Sequence, residues 1–386
     1  MQIFLTGATG LLGGELLVNL SKRKEVSKVF CLIRATSLDK ANERLLKIFN
    51  LHNDDFEANK IVAITGDLTD QDLPERLSHN PQLKHVQVVL HSAANTSFSR
   101  FESDLVEKVN ITGLNHILTW AKDLKHLQKF VYVGTSTICG HTVTNRVVLE
   151  DESPDIHSKH FVKYTFTKMM GELSVYNELP EDKVLIVRPS IIMGDSRPVV
   201  PRSPVILWTL AATNLMRLVP VTADSAMDII PVDYAAEAIA RLLLVKCNHR
   251  VYHISAGESS YTTPQRLTDP IAGFFPERPP FKFVDKALIE PMKKWAKKKH
   301  PTPEPLIPYM DYLDYWEHAF THSSKLRVLF SGLEPYLRFM ELGQVFDNSR
   351  MKADTGMPQS PAAHDYIPYS VQYLSELDVF KAAMEP

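Results

Sequence analysis

Apolar and polar residues change period several times along the chain, and the changes mark its elements. The run Gln2-Ile3-Phe4-Leu5-Thr6 is short and apolar, as a buried strand is. It ends at Gly7, and Gly10 and Gly13 follow before an amphipathic stretch begins. That order predicts strand, tight turn, helix. Further short apolar runs fall at Val29 to Ile33, Ile61 to Ile64, Val86 to Leu90, Lys129 to Val133 and Val184 to Val187. Helical stretches separate them, most clearly at Leu38 to Asn50 and Ser103 to Leu124. Runs that are apolar at every position suit strands covered on both faces, and helical crossovers make the sheet parallel. The predicted class is α/β, a doubly wound parallel sheet, with ligands bound at the carboxyl ends of its strands.

The texture changes after Asp195. Prolines thicken at Pro198, Pro201, Pro204 and Pro220. Asp228 to Asp233 alternates like a strand, Ala235 to Val245 is helical, and Val251 to Ser255 reads as a last sheet strand. From Thr262 onward helices and proline-rich loops dominate. The expected organisation is a dinucleotide-binding domain over 1–260, with about 195–230 contributing to the substrate side, and a smaller, mostly helical substrate-binding or lid region over 261–386. The chain has 386 residues, enough to give each unit a core.

Composition changes this picture little. A formal net charge of -2 argues against nucleic-acid binding. Cys31, Cys139 and Cys247 are far apart and match no zinc or redox spacing, so all three are expected as buried, reduced thiols, with no metal site. The longest apolar stretches, such as Pro204 to Met216, are too short and interrupted to span a bilayer. The chain opens on a core strand rather than a basic leader, and a cytoplasmic protein is expected.

Candidate chemistry gathers at the predicted strand ends. A glycine turn lets the backbone approach a pyrophosphate, and the next helix offers it free N–H groups and a positive dipole end. The same glycines also serve close helix–sheet packing. After the second strand a fold of this kind usually carries an acid for the ribose hydroxyls of NAD. This chain has Arg34, which suits the 2′-phosphate of NADP(H). Arg44 is either a second phosphate ligand or part of a solvated helix face. Asp67, after the third strand, is placed to accept from an adenine amino group or to cap the next helix. Tyr164 and Lys168 are four apart, on one face of a helix. An ammonium there is expected to lower the phenol pKa, and such a tyrosine can protonate a carbonyl oxygen while hydride reaches the carbon. Thr135 and Ser136, after the fifth strand, compete to supply a second hydroxyl to that oxygen, and a hydroxyl not so used satisfies turn N–H groups.

Several segments together carry a family resemblance: Thr6 to Gly13, Cys31 to Ala35 with Glu43-Arg44-Leu45, Gly66-Asp67-Leu68, His91 to Ala94, Asn110 to Gly113, Tyr164 to Lys168, Val187 to Gly194, and Asp228 to Tyr234. Over about residues 1–260 the chain resembles the extended short-chain dehydrogenase/reductases, and within them the thioester reductase and fatty acyl-CoA reductase (male sterility) branch. The resemblance implies a Rossmann fold with NADP(H) held by Gly7, Thr9, Gly10, Leu11 and Gly13, by Arg34, Arg44, Asp67 and Leu68, and by Ala93, Ala94 and Asn110. Pro189 and Ser190 would line the nicotinamide side. The catalytic hydroxyl falls on Thr135, the proton donor on Tyr164, and the ribose-binding, phenol-tuning group on Lys168. Gly134 is a departure, since the family usually has serine there. The implied activity is NADPH-dependent reduction of an acyl thioester, carried by coenzyme A or an acyl-carrier protein, to the aldehyde or on to the primary alcohol. The alternatives on this frame are a sugar-nucleotide epimerase or dehydratase and a non-enzymatic NADP-sensing regulator.

The last third matches that family poorly. Leu288, Ile289, Met292 and Trp295 form an apolar stripe, with Pro291 in the first helical turn and lysines at 286, 293, 294, 297, 298 and 299 around it. Such a segment from Lys286 to Lys299 binds an acidic carrier, the phosphates of coenzyme A or a membrane surface, or simply packs its stripe on the body. Tyr309, Tyr312, Tyr315, Trp316, Phe320, Phe330, Tyr336 and Phe339 line an acyl channel, form the core of a helical cap, or do both.

Overall fold

The computed structural model describes residues 1–198, 207–297, 301–320, 323–374, 376–379 and 381; Pro201, Pro204, Lys298 and Lys299 lie outside the described residues. Among the described residues seven strands form one parallel sheet. They are β1 (Gln2–Thr6), β2 (Lys28–Ile33), β3 (Ile61–Thr65), β4 (Val88–His91), β5 (Lys129–Val133), β6 (Val184–Pro189) and β7 (Val251–Ile254). Their order is β7-β6-β5-β4-β1-β2-β3. The winding direction reverses between β1 and β4, where Thr6 pairs with His91, and such a reversal opens a crevice at the strands' carboxyl ends.

Alternate strand residues feed two layers. Ile3, Leu5 and Leu90 pack under helices α1 (Leu11–Ser21), α2 (Leu38–His52) and the helix at Val232–Leu244. Phe4, Phe30, Phe130 and Tyr132 face Leu114, Trp120 and Val175 on the other side, with Phe4 and Trp120 at 4.5 Å between ring centroids. The predicted helix after β4 is continuous over 103–122, but a π-turn at Lys108–Thr112 interrupts its α-helical hydrogen bonding and turns Asn110 inward.

Three boundaries differ from expectation. β4 starts at Val88 rather than Val86, because pairing begins opposite Ile3 of β1 while Val86 still belongs to the approaching turn. Only Ile229–Ile230 of the 228–233 stretch pairs as a strand. Asp228 there accepts from the backbone N–H groups of Ala256, Gly257 and Phe346, and the helix starts at Val232. The 261–386 region is also not one body. Gln344–Phe346 pairs with Arg146–Val148, and Met351 and Met357 join the core of the sheet unit. Of the cysteines, Cys31 is buried but Cys139 and Cys247 are only partly so.

The second core belongs to the cap. It joins the helix Leu207–Met216 to helices at Pro264–Ala272, Ile289–Ala296, Met310–Ala319 and Ser323–Met340. Trp316 is fully buried and its indole N–H donates to Met216 O at 2.7 Å. The stripe at Leu288, Ile289, Met292 and Trp295 packs into this same core. Lys293 pairs with Glu290 and Glu334 at 2.8 Å, and Lys286 lies 3.8 Å from Glu341. Met292 is buried in that core, while Leu288, Ile289 and Trp295 are only partly buried against it. No helix among the described residues is long and apolar enough to cross a membrane.

Candidate active site

A continuous cleft of about 790 Å3 runs over the carboxyl ends of β1–β6 and under the cap. Its first end is the glycine turn. Gly7 sits at φ +77, and a Cβ on it would lie 2.7 Å from Ala93 N. A Cβ on Gly13 would overlap Gly7 O. Any side chain at these two positions would push the strand, the turn and the Ala93 loop apart. Gly7, Thr9, Gly10, Leu11, Gly13, Ala93 and Ala94 all line the cleft. The turn is therefore both a packing device and an open cradle at a helix N-terminus.

Two guanidiniums flank that cradle. Arg44 donates to Thr9 Oγ1 at 3.0 Å and to the Arg34 carbonyl, so it faces the turn rather than bulk solvent. Arg34 extends into solvent, with its side chain 77% exposed, and comes within 4.0 Å of Asp67. Asp67 does not cap the next helix. Its carboxylate instead accepts from Thr69 N at 2.8 Å and Thr69 Oγ1 at 2.9 Å. Partial burial works against its charge, but these bonds and Arg34 hold its pKa below the ordinary carboxylate value. Leu68 also lines the cleft. Asn110 does not. It is buried, with Oδ1 accepting from Asn95 N and Nδ2 donating to Asn95 O and to Thr167 Oγ1. Asn110 thus ties the loop after β4 to the helix that carries Tyr164.

The middle of the cleft brings together Thr135, Tyr164 and Lys168 with Pro189 and Ser190. Helix Lys163–Glu178 presents Tyr164 and Lys168 one turn apart. Of the two competing hydroxyls, Ser136 is buried and donates to Arg188 O at 2.7 Å. Thr135 lines the cleft, 3.1 Å from Thr137 Oγ1 and 3.4 Å from Pro189 O. Gly134 adjoins it on the same wall. The expected lowering of the phenol does not hold: burial pushes Tyr164 up to about 12. Burial likewise draws Lys168 down to about 7, with Glu172 pulling the other way. A phenol so placed keeps its proton across the physiological range.

The far end of the cleft comes from segments with no shared motif. Phe98, on the loop after β4, lies 6.1 Å from the Tyr164 ring, 4.5 Å from Tyr336 and 5.2 Å from Phe339. The same lining holds Leu210, Met227, Ile229, Leu267, Phe283 and Met340, with Thr209, Thr213 and Thr268 from the same helices among them. Tyr336 therefore packs on the cap core and lines the cleft, and Phe339 lines the cleft. Phe98 and Thr137 were not visible as site residues in the sequence. The only signal for Phe98 is one aromatic in an otherwise polar loop, Asn95-Thr96-Ser97-Phe98-Ser99-Arg100.

A family model described as male sterility protein matches residues 5–239. The chain belongs to that family. Its fold is that of the extended short-chain dehydrogenase/reductases. Fatty acyl-CoA reductase 1 of Xenopus laevis is 25% identical over 269 residues, covering 60% of this chain and 52% of the relative. The chain thus spans about half the length of that relative. Among solved structures, the terminal R domain of the myxalamid PKS-NRPS pathway is 21% identical with a TM-score of 0.71, covering 97% of this chain and 90% of that one. A UDP-glucuronic acid 4-epimerase from Bacillus cereus, solved with NAD, is 17% identical with a TM-score of 0.63, covering 97% and 99%. Both likenesses concern the fold.

Proposed function

We propose that the chain reduces acyl thioesters with NADPH, residues 1–260 holding the dinucleotide and the cap covering the acyl group. The reading is carried by one observation: a glycine cradle, a Thr–Tyr–Lys set and an apolar wall share a single cleft. The residues present fit the dinucleotide, because Gly7 and Gly13 leave no room for a Cβ and Arg34 and Arg44 supply cations at the adjoining corner. NADPH bound there supplies a hydride to the thioester carbonyl carbon. Tyr164 Oη donates its proton to the carbonyl oxygen, and the Thr135 hydroxyl hydrogen-bonds the same oxygen as charge builds. Lys168, one turn along the same helix, holds the ribose side. The C–S bond of the resulting hemithioacetal then breaks to give aldehyde and free thiol. The apolar wall accepts the acyl chain, which favours acyl reduction over a sugar-nucleotide reaction, whose substrate is polar throughout.

The test is product analysis with NADPH and acyl-CoA substrates of several chain lengths, beside acyl-carrier thioesters and UDP-sugars. Steady NADPH loss matched by aldehyde or alcohol is expected. Turnover of the UDP-sugars with none on any thioester would overturn the proposal. The same assay separates coenzyme A from carrier protein and aldehyde from alcohol.

A further inference from the structure

We infer that Tyr132 and Gly171 form the seat of Lys168, the face of the Tyr132 ring acting as the partner of the buried ammonium. This rests on the reading of Lys168 as a member of the reacting set. Lys168 is 2% exposed, and its Nζ stands 4.3 Å from the Tyr132 ring centroid. Among the described residues no carboxylate makes an ion pair with it. Glu172, one turn further on, is taken by Arg188 in a two-pronged bond at 3.0 and 2.5 Å. With Glu172 so engaged, the ring face stands against the ammonium as a contact that favours the charged form.

The ring is itself held at several points. Tyr132 is buried in β5, and its Oη donates to Lys168 O at 3.2 Å, so one side chain grips the lysine at its carbonyl and its ammonium. That grip needs glycine at 171, since a Cβ there would overlap Tyr132 Oη and come within 3.0 Å of Cζ. His91, opposite Tyr132 on β4, stacks beside it at 6.1 Å and 9° and bonds Thr6 Oγ1 through Nδ1 at 3.1 Å. Neither Tyr132 nor His91 lines the cleft, so Tyr132 is a positioning residue.

The charged and titratable groups facing Lys168 are few. Its own helix supplies Tyr164 and Glu172, β5 supplies Tyr132, and β6 supplies Arg188 behind Glu172. On β4, burial and then the Lys168 charge draw His91 down to about 3, so it stays neutral. Removing the ring face leaves burial less opposed and lowers the pKa of Lys168. A desolvated cation–π contact corresponds to a shift of about one pH unit.

The test is competitive acetylation of the cofactor-free full chain across pH, reading the Lys168 peptide by mass spectrometry. It uses neither NADPH nor a thioester, so its outcome is separate from that of the turnover assay. Y132F keeps the ring and is expected to titrate like the parent chain. Y132L and Y132M are expected to titrate about one pH unit lower. G171A displaces the ring and lowers the midpoint, and adding Y132F to it restores part of the shift. Folded Y132L or Y132M with an unchanged Lys168 midpoint overturns the inference, as does a Y132F shift equal to that of Y132L. Should Y132L fail to fold, Y132M and the G171A pair carry the same comparison.

Discussion

The two ends of the cleft are built from different material. At the cofactor end the walls are largely backbone: a turn whose glycines admit no Cβ, an Ala93-Ala94 loop packed on it, and two arginines at the corner. Apart from Arg44, which lies on α2, each piece sits at the end of a strand, so sheet topology sets its position. At the other end, proposed above to take the acyl chain, the walls are side chains from the loop after β4, the helix Leu207–Met216, the Ile229 strand and two cap helices. No single stretch of chain fixes that shape. A fold of this kind can keep one end while the other drifts, which is why an epimerase and a reductase domain share the frame.

The largest expected effect falls between the two ends. Y164F removes the proton donor and should lower kcat ~10²–10⁴-fold. Dinucleotide affinity, measured by fluorescence titration, should stay within ~2-fold, because the cradle is untouched. Equal losses of both would mean that the middle and the cofactor end are not separable. Next in size is the double variant R34A/R44A. Charge-assisted bonds to a phosphate are worth about 1.5–3 kcal/mol each, reduced here by the exposure of Arg34. KM for NADPH should rise ~10-fold or more while KM for NADH holds within ~2-fold. A matching rise for NADH would remove the argument for a 2′-phosphate corner.

The same contrast explains what was legible beforehand. Glycine spacing, Arg34 at a strand end and the Tyr-x-x-x-Lys spacing are local patterns, and the parallel sheet converts each into a position. The family resemblance pointed to Thr135, but the residues alone left Thr135 and Ser136 open, because neighbouring hydroxyls differ only in which way the strand end turns them. Ser136 turned inward to Arg188 O. Asn110 was legible as important and not as what it does: the π-turn aims it at Asn95 and Thr167 instead of the cleft. The phenol pKa was misjudged because charge proximity can be read from spacing, while burial cannot. Phe98 was hidden because its partners, Tyr336 and Phe339, lie more than two hundred residues away in sequence.

F98A probes the acyl end. Aromatic pairs contribute about 0.5–1.5 kcal/mol beyond burial, so KM for a long acyl substrate should rise up to ~10-fold with kcat for short substrates retained. A rise in KM for NADPH instead would place Phe98 on the cofactor side. A smaller effect concerns stability. Lys168 has a folded pKa of about 7, below its ordinary value, so the fold carries a buried charge at lower pH and sheds it as pH rises. Between those two values the unfolded chain binds more protons, and stability relative to a neutral side chain increases with pH. K168M should therefore raise the melting temperature of the cofactor-free chain by about 2 °C or more at neutral pH. The gain should shrink as pH approaches the ordinary lysine value. A gain that grows with pH would contradict the burial argument.

The smallest effect tests the one departure from the family pattern in the middle of the cleft. Gly134 stands where the resemblance leads one to expect serine. A Cβ there would meet Val187 O at 3.5 Å, Arg188 Cγ at 3.6 Å and Tyr132 Cε1 at 3.7 Å, all ordinary contacts. G134S should therefore change stability by less than ~0.5 kcal/mol, read from denaturant midpoints. Glycine at 134 is then not demanded by packing, in contrast to Gly7 and Gly13, where any Cβ meets backbone. A loss as large as that of G13A would show that strand end to be as tightly built as the glycine turn, and the cofactor end would extend further along the cleft than its topology suggests.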